Sequence, residues 1–342
     1  MPENNDPTTP ETPRLDRAAA KEFQKRFDAL VKEIGKVVKG KDPAIRLSLV
    51  CLLSGGHLLI EDVPGVAKTT LARCVADVLG GQCRRIQFTP DLLPADITGV
   101  MVYDQGTRKS EFQRGPVFAN VVIADEINRA SPKTQSALLE VMEERQVTVA
   151  GEPQAVPSPF FVVATQNPID MEGTYPLPEA QLDRFMMRVG IGYPAARTEA
   201  EIAAADAGPT RGAAQSEPIE PIEPADFDWL VATARRVRCD TAVLDYAVGI
   251  VAATRERPEL RLGASPRGSI ALVRAARVWA ASEGRSYVIP DDVKRLVPPV
   301  LQHRLLPTTR HELEGKGVGV ALSSAMASVA APRDGDGSGH VD

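Results

Sequence analysis

The feature that most constrains the fold is an alternation of short apolar runs and helical stretches within the first 207 residues. Four runs rich in β-branched or aromatic residues have the length of buried strands, at 57–61, 85–88, 121–124 and 160–165. Helical stretches at 70–79 and 132–145 separate them. Apolar strands that alternate with helices are typical of a parallel sheet covered on both faces. We therefore predict an α/β fold.

The pattern changes after residue 207, and the rest of the chain has helical spacing without a convincing strand. The predicted helices lie at 227–237, 242–255, 269–283 and 290–304. Repeated Glu-Pro steps precede them and disfavour helix, which indicates an extended linker. The predicted organisation is a disordered tail (1–16), an α/β domain (17–207), a linker (208–224), a small all-α domain (225–330) and a second disordered tail (331–342).

Charge and composition limit the classes of function. The 45 acidic residues outnumber the 40 basic ones, for a net charge of -5, which argues against a nucleic-acid-binding protein but leaves a local basic channel open. The longest apolar run, 47–60, is interrupted by polar residues and too short to cross a membrane. The N-terminus is not a signal peptide, and four cysteines without CxxC spacing favour a reducing compartment. We expect a cytoplasmic protein.

A candidate phosphate site lies in the segment HLLIEDVPGVAKTTLARCVADVL, where a strand, a tight loop and a helix follow one another. This order directs backbone amides and a helix N-terminus at an anion. In the pattern GxxxxGK[ST] the lysine reaches the outer phosphates and the hydroxyl ligates magnesium. Lys68 and Thr69 match, but Asp62 and Ala67 replace the two pattern glycines, and Gly65 lies between them. A turn between a core strand and a core helix, with a solvated lysine, explains this segment equally well.

Two adjacent carboxylates, Asp125 and Glu126, end the next apolar run, VVIADEIN. Ligands of α/β sheets bind at this end of the strands. Asp125 would hold magnesium through water, and Glu126 would polarise the water that attacks the γ-phosphate. An acidic helix N-terminus explains one carboxylate, but not two beside a phosphate loop.

Three further polar residues are candidates for the same chemistry. Asn167 ends the run FFVVATQNP and would position the attacking water, although Asn commonly ends strands. Arg184 and Arg267 lie in short polar stretches beside helices, where a guanidinium would brace the charge on a transferring phosphate. Surface ion pairing is the alternative for either arginine.

Taken together, these residues resemble the AAA+ ATPases and, among them, the MoxR-type chaperone-like ATPases. The similarity runs from about residue 37 to residue 305. It is carried by IEDVPGVAKTTLA, RIQFTPDLLPADITG, GPVFANVVIADEINRASPKTQSALLEVMEE, ATQNPIDMEGTYPLPEAQLDRF and GASPRGS. The resemblance implies a P-loop NTPase core followed by a helical lid, and it implies ATP and Mg²⁺ as cofactors.

The resemblance also implies a role for each candidate residue. The Walker A loop would comprise Asp62, Val63, Pro64, Gly65, Val66, Ala67, Lys68, Thr69 and Thr70. Asp125 and Glu126 would form Walker B, with Thr69 and Asp125 as the magnesium ligands. Asn167 looks like sensor 1, Arg184 like the finger that reaches a neighbouring subunit, and Arg267 like sensor 2. Val38 and Gly40 are similar to the adenine-side box. The methyl group of Ala67 would narrow the approach of phosphate.

At the level of the assembly, the resemblance implies a homo-oligomeric ring, a hexamer, that uses hydrolysis to remodel a client protein, with a von Willebrand factor A domain protein as partner. Residues 145–161 look like the hairpin insertion in the second helix that MoxR-type proteins share with magnesium chelatase ATPase subunits, and we expect this hairpin to face pore or substrate. A nucleic-acid motor and a nucleotide-gated scaffold with negligible turnover are the alternative functions.

Overall fold

The computed structural model describes residues 15–63, 65–106, 108–167, 174–206 and 219–332, without the side chains of 202–206. The strands are β1 (Leu58–Glu61), β2 (Cys83–Gln87), β3 (Gly99–Asp104), β4 (Lys109–Arg114), β5 (Val121–Asp125), β6 (Gln146–Val149), β7 (Glu152–Ala155), β8 (Phe161–Gln166), β9 (Met187–Val189), β10 (Leu260–Leu262) and β11 (Leu306–Pro307). The helices are α1 (Arg17–Val37), α2 (Asp42–Leu53), α3 (Lys68–Leu79), α4 (Pro94–Thr98), α5 (Pro132–Glu144), α6 (Glu179–Leu182), α7 (Ala196–Asp206), α8 (Pro224–Arg235), α9 (Thr241–Arg255), α10 (Pro266–Ser282), α11 (Pro290–Leu301), α12 (Thr309–Leu313) and α13 (Val318–Ser328).

Five strands form a parallel central sheet in the order β2-β5-β8-β1-β9. Alternate residues of one strand enter different hydrophobic clusters, as a period of two requires. Leu58 and Ile60 of β1 join the cluster on one face, whereas Leu59 joins the cluster on the other. The α/β fold predicted from the apolar runs is confirmed.

The two faces of the sheet are covered by different parts of the chain. Leu138, Leu139 and Met142 of α5 cover one face. On the other face, α1, α2 and α3 share a single cluster with the C-terminal helices α8 to α11 and with α13. The C-terminal helices therefore pack directly onto the helical layer of the α/β core.

The prediction that the C-terminal part contains no strand is wrong. β10 and β11 form a two-stranded antiparallel pair, in which Leu260 faces Pro307 and Leu262 faces Leu306. Both strands are too short to produce an alternating pattern in the sequence.

The predicted hairpin at 145–161 exists, with Gly151 in the turn at φ +88°, but its predicted place in the second helix is wrong. β6 and β7 lie in the third connection of the sheet, between α5 and β8. The second connection, from β2 to β5, carries α4 and a different hairpin, β3–β4. The side chains of β3 beyond Gly99 are exposed, so this hairpin has no buried face to reveal it in the sequence.

The described residues include small parts of the predicted tail and linker. Leu15 is buried, and the Asp16 carboxylate accepts a hydrogen bond from the amide of Ala19 at the start of α1. The amide of Ile222, in the predicted linker, donates to the carbonyl of Val78 at 2.7 Å. The predicted segments 1–14, 208–218 and 333–342 lie outside the described residues, and the domain division stays a prediction.

Within the described ranges, no helix is long and apolar enough to span a membrane.

A first prediction concerns α1, which joins the core to the C-terminal helices. Phe27 is fully buried in the shared cluster, and its ring lies 6.2 Å from that of Phe23. We expect Phe27→Ala to lower the free energy of unfolding by about 3–5 kcal/mol, because it leaves a cavity. Chemical denaturation measures this. Lys32→Ala, at an exposed position of the same helix, is the control, with an expected change within about 0.5 kcal/mol. Equal effects of the two substitutions would contradict the packing of α1.

Candidate functional site

The loop between β1 and α3 has positive φ angles of the kind that glycine favours, although Ala67 stands where the pattern GxxxxGK[ST] has its second glycine. Gly65 has φ +84° and Ala67 has φ +62° with ψ +29°, so both are left-handed. A left-handed conformation costs a non-glycine residue about 1–2 kcal/mol. Val66 between them is buried and anchors the loop, whereas Pro64 lies outside the described residues. Ala67 therefore keeps the loop shape at a cost in strain.

Asp62 ties this loop to the end of β9. Its carboxylate accepts hydrogen bonds from the backbone amides of Val63 at 2.8 Å, Ile191 at 2.7 Å and Gly192 at 2.5 Å. Burial by itself would raise the pKa of Asp62, but these three amides and the charge of Lys68 outweigh it and lower the pKa. The residue that replaces the first pattern glycine therefore stabilises the loop as a carboxylate.

Lys68 is the first residue of α3, and its ammonium lies between the loop and the end of β8. It donates to the carbonyl oxygens of Asp62 and Gln166 and to the side-chain oxygen of Asn167. Burial lowers the pKa of Lys68, against the opposing effect of nearby carboxylates such as Asp62 and Asp125. The structure thus brings two of the predicted site residues, Lys68 and Asn167, into direct contact.

Asp125 ends β5, and hydrogen-bond donors surround its carboxylate. The hydroxyl of Thr69 donates to Oδ2 at 3.1 Å, and the hydroxyl of Thr165 donates to Oδ1 at 2.5 Å. Arg85 on β2 reaches the same Oδ2 through Nη2 at 2.6 Å and Nε at 3.1 Å. Burial alone would raise the pKa of Asp125, but the bonds from Thr165, Arg85 and Thr69 lower it.

Glu126 follows in a left-handed conformation, with φ +55°. Its amide donates to the Thr165 hydroxyl at 2.9 Å, so that one threonine positions both carboxylates. Glu126 Oε2 accepts from Gln87 Nε2 and from Arg129 Nη1, each at 3.1 Å. This left-handed conformation is uncommon for a glutamate, and strained residues of this kind cluster at functional sites.

Arg85 and Thr165 were missed by sequence reasoning. A weak signal exists for Arg85, because Arg85 and Gln87 are two residues apart on β2 and therefore lie on one face of the strand. Gln87 is opposite Asp125 in the parallel register. Their position beside Asp125 depends on the pairing of β2 with β5, which the sequence alone does not give.

The predicted adenine-side residues lie next to this loop. Val38 is buried at the end of α1, and Gly40 has φ +69°, with the side chain of Thr198 3.4 Å from the position of an added Cβ. Lys41, also missed, donates to the carbonyl oxygens of Ile191, Gly192 and Tyr193 at 2.7–2.9 Å. The turn at 38–41 and Asp62 thus hold the same segment after β9.

Arg184 and Arg267 lie away from the loop and contact one carboxylate. Arg184 Nε is 2.9 Å from Glu143 Oε2, an ion pair whose angle does not suit a hydrogen bond, and Arg267 Nη2 donates to Glu143 Oε1. The amide of Met186, two residues after Arg184, donates to His57, just before β1. Both arginines therefore lie where β1 and β9 begin, whereas Lys68 lies where they end.

Thr69 and Asp125 suit a magnesium ion by their chemistry. Their oxygens are 3.1 Å apart at the end of the strands, and magnesium prefers oxygen ligands and retains several waters. The Arg85 guanidinium on Asp125 Oδ2 is a cation in the same place. The donors fit magnesium, provided that it shares Asp125 with Arg85 or displaces it.

The sheet order, the lysine-bearing loop and the paired carboxylates define an ATPase of the AAA+ class. A family model described as the ATPase family associated with various cellular activities matches residues 57–187, and a model of the AAA lid domain matches residues 252–318. The AAA+ class hydrolyses ATP, and family membership supports this activity here. The predicted helical lid is likewise supported.

Relatives specify the family further. The chain is 43% identical over 310 residues to Chaperone MoxR1 of Mycobacterium tuberculosis, covering 88% of this chain and 81% of that protein. It is 34% identical over 307 residues to Protein MoxR of Methylorubrum extorquens, covering 82% and 88%. The chain belongs to the MoxR family of AAA+ ATPases, as its sequence motifs predicted.

One further relative matches this chain over most of its length, and one solved structure matches its fold. Protein YeaC of Bacillus subtilis, which is uncharacterised, is 47% identical over 306 residues, covering 88% of this chain and 93% of that protein. A crystal structure of a proposed ATPase from Cytophaga hutchinsonii superposes with a TM-score of 0.82 at 35% identity, covering 92% of this chain and 98% of the other. The similarity therefore extends through both the core and the C-terminal helices.

A second prediction tests the amide cluster around Asp62. The pKa of an aspartate in an unfolded chain is about 3.9, and that of Asp62 in the folded chain is lower. The carboxylate therefore stabilises the fold fully above about pH 4, and this contribution is lost as the pH falls through the folded pKa. We expect Asp62→Asn to unfold at a lower temperature than the wild type at pH 7, with a smaller difference below pH 4. Thermal unfolding over a pH series measures this, and a difference that is constant with pH would contradict it.

Proposed function

We propose that this chain is a magnesium-dependent ATPase that works as a ring to remodel, mature or assemble a client protein. The observation that supports it most is the convergence of Lys68, Thr69, Asp125, Glu126 and Asn167 at the carboxyl ends of β1, β5 and β8. Three separate strand ends bring together a cation, a hydroxyl, two carboxylates and an amide. This combination is suited to phosphoryl transfer to water.

In the proposed mechanism, the backbone amides of Gly65, Val66 and Ala67 and the N-terminus of α3 bind the phosphates. Lys68 leaves its carbonyl partners and binds the outer phosphates. Thr69 and Asp125 would hold a magnesium ion, which would neutralise charge on the phosphates. Glu126 accepts the proton of the attacking water, and Asn167, next to Lys68, orients that water. Val63 belongs to the same loop, as does Pro64 by its place in the sequence, and Thr70 lies in the first turn of α3.

We assign the adenine side to Val38 and Gly40. Lys41 and Asp62 hold the same segment at 191–193, so the turn at 38–41 is adjacent to the phosphate loop. A buried valine offers an apolar contact to a base, and a left-handed glycine allows the backbone to approach a ligand closely. These features support a nucleotide that runs from the turn to Lys68.

The place of Arg184 and Arg267 supports the proposal of a ring. Strand β1 separates them from Lys68, and its four residues span about 10 Å. Both guanidinium groups are also directed at Glu143. If they brace the charge of a transferring phosphate, they do so in the site of a neighbouring subunit. The AAA+ family suggests oligomeric assembly, and we propose a hexamer in which both arginines act between subunits.

The client would be recognised by exposed hairpins. Strand β3 exposes Val100, Met101, Val102 and Tyr103 by 42–59%, an apolar run that stands outside the core. Exposed apolar surface of this kind marks sites of protein interaction. The hairpin β6–β7 is a second candidate. A relative carries the name Chaperone MoxR1, which agrees with remodelling.

A von Willebrand factor A domain protein as partner and a cytoplasmic location complete the proposal.

A third prediction isolates the proposed general base. Glu126→Gln keeps the size and the contacts of the side chain but cannot accept a proton from water. We expect ATP binding within a few-fold of the wild type and hydrolysis slower by about 10²–10⁴-fold. Equilibrium binding of a fluorescent ATP analogue and phosphate release measure the two quantities. Arg129→Gln, which removes one contact of Glu126, is the control and should retain most of the turnover. Normal turnover in Glu126→Gln would refute the assignment.

A fourth prediction tests the shared site. Lys68→Ala and Arg184→Ala should each be inactive alone, whereas their mixture should regain part of the turnover, because an Arg184→Ala subunit retains Lys68 and its neighbour supplies Arg184. Phosphate release from mixed, exchanged subunits measures this.

In the control for the mixing experiment, Arg184→Ala subunits are mixed with subunits of the double variant Lys68→Ala/Arg184→Ala instead of with Lys68→Ala subunits. This double variant supplies no arginine, so its mixture with Arg184→Ala should stay inactive. A mixture of the two single variants that exchanges subunits and still shows no turnover would contradict an active site between subunits.

A further inference from the structure

A large cleft lies at the edge of the sheet opposite the candidate nucleotide site. Helices α8 and α10 form one wall, and the segments that precede β1, β5 and β8 form the other. The cavity has a volume of about 1180 Å³, above the roughly 300–1,000 Å³ of a small-ligand pocket. Its size is better suited to a length of polypeptide than to a metabolite.

Four arginines line this cleft: Arg145, Arg235, Arg274 and Arg277. Among the described residues none of the four forms an ion pair, and Asp228 is the only carboxylate in the lining. Arg274 and Arg277 are three residues apart on α10 and therefore share one face of the helix. The cleft is thus strongly positive within a chain whose net charge is -5.

The adjoining cavity shows the opposite arrangement. It shares Arg145 and Arg274 with the cleft and also contains Arg184, Arg267 and Arg304. There Glu143 pairs with Arg184 and Arg267, and Asp183 pairs with Arg304. Within the described ranges, carboxylates therefore pair with arginines of one cavity but with none of the four that line the next.

As far as the described residues show, Arg145 is held in place by backbone carbonyl oxygens, whereas Arg277 is not held at its Nε. Arg145 donates to the carbonyl oxygens of Phe160 at 2.9 Å and Gly55 at 3.2 Å, and burial lowers its pKa. Arg277 Nε is shielded from solvent and has no hydrogen-bond partner. A guanidinium is stabilised most by a carboxylate or phosphate that it can bind in a planar, bidentate geometry.

The remaining lining distinguishes between these two anions. Between its arginines the cleft has an apolar wall at which Leu79, Pro159, Pro224, Val231 and Ala232 are half-buried or exposed, above buried core side chains such as Phe227. A nucleic-acid backbone offers phosphates but no aliphatic side chains to cover such a wall, whereas a polypeptide offers carboxylates and aliphatic side chains together.

We propose that the cleft between α8, α10 and the amino-terminal ends of the strands binds an acidic, leucine-containing segment of a partner protein. Arg145, Arg235, Arg274 and Arg277 bind the carboxylates of the segment, and the apolar wall binds its aliphatic side chains. This site is separate from the nucleotide loop.

The test uses the full chain and a fluorescein-labelled peptide in which glutamates alternate with leucine and glycine. A second peptide has glutamine in place of every glutamate. Fluorescence anisotropy at low salt should show binding of the acidic peptide and at least about tenfold weaker binding of the amide peptide. Binding of the acidic peptide should weaken as salt rises, because charge interactions at a cleft are screened.

Charge reversal identifies the site. Arg235→Glu/Arg277→Glu should lower affinity for the acidic peptide by at least about tenfold. The control, Arg197→Glu/Arg310→Glu, changes the net charge equally at side chains that are 94% and 89% exposed and outside the cleft, and affinity should stay within about twofold. Circular dichroism and thermal unfolding verify that both double variants fold.

Four outcomes would overturn the proposal. The two peptides could bind equally, or the two double variants could lose affinity equally. A single-stranded DNA oligonucleotide could bind more tightly than the peptide and lose its affinity on Arg235→Glu/Arg277→Glu, which would make the cleft a nucleic-acid site. Loss of self-association in this variant, with unchanged peptide binding, would make it a contact between copies of the chain. ATP turnover measured in parallel separates failure of this site from failure of the proposed ATPase.

Discussion

Burial of the inner strands β1, β5 and β8 on both faces leaves the ends of the strands, together with the exposed edge strand β2, as the places for polar side chains of the sheet. All five strands run in one direction, so each type of end forms one edge. The carboxyl edge carries the loop with Lys68 and the carboxylates Asp125 and Glu126. The amino edge carries Arg184 and Arg267 and the arginine-lined cleft. A protomer thus has its candidate phosphate-binding loop at one edge of the sheet and the two candidate arginines at the other. In a ring, the arginines of one protomer would lie next to the phosphate-binding loop of its neighbour.

Short-range features of the site could be predicted from the sequence. Lys68 and Thr69 are positioned by a local loop and a helix start, and Asp125 and Glu126 by the end of an apolar run. The resemblance to MoxR-type ATPases connected these segments before any strand pairing was known. The same local reasoning predicted the strands at 121–124 and 160–165, because strands buried on both faces give continuous apolar runs.

Long-range features could not be predicted in this way. Arg85 reaches Asp125 only because β2 pairs with β5, and Glu143 meets Arg184 only because α5 ends beside the start of β9. The hairpin β3–β4 has no buried face, so its sequence lacks the alternation that reveals a strand. The hairpin β6–β7 was recognised from its turn, but a turn does not say which connection of the sheet carries it. Ala67 is a local feature that the sequence does not reveal. Its backbone has the left-handed conformation of a loop glycine, although alanine rarely adopts that conformation.

Helix α1 has a mechanical consequence for the whole chain. Its 21 residues make a rod of about 30 Å. Phe23, Phe27 and Ile34 along the rod lie in the same cluster as Leu272 and Ala276 of α10, and the rod ends at Val38 in the turn beside the phosphate loop. Because protein interiors are close-packed and transmit strain, a displacement of this turn would be felt along the rod and at α10, against which the rod packs. α10 carries Arg267 at its start and Arg274 and Arg277 further along. The candidate adenine side at one edge of the sheet and the arginines at the other are thereby joined by one continuous helix, α1, and the cluster it shares with α10.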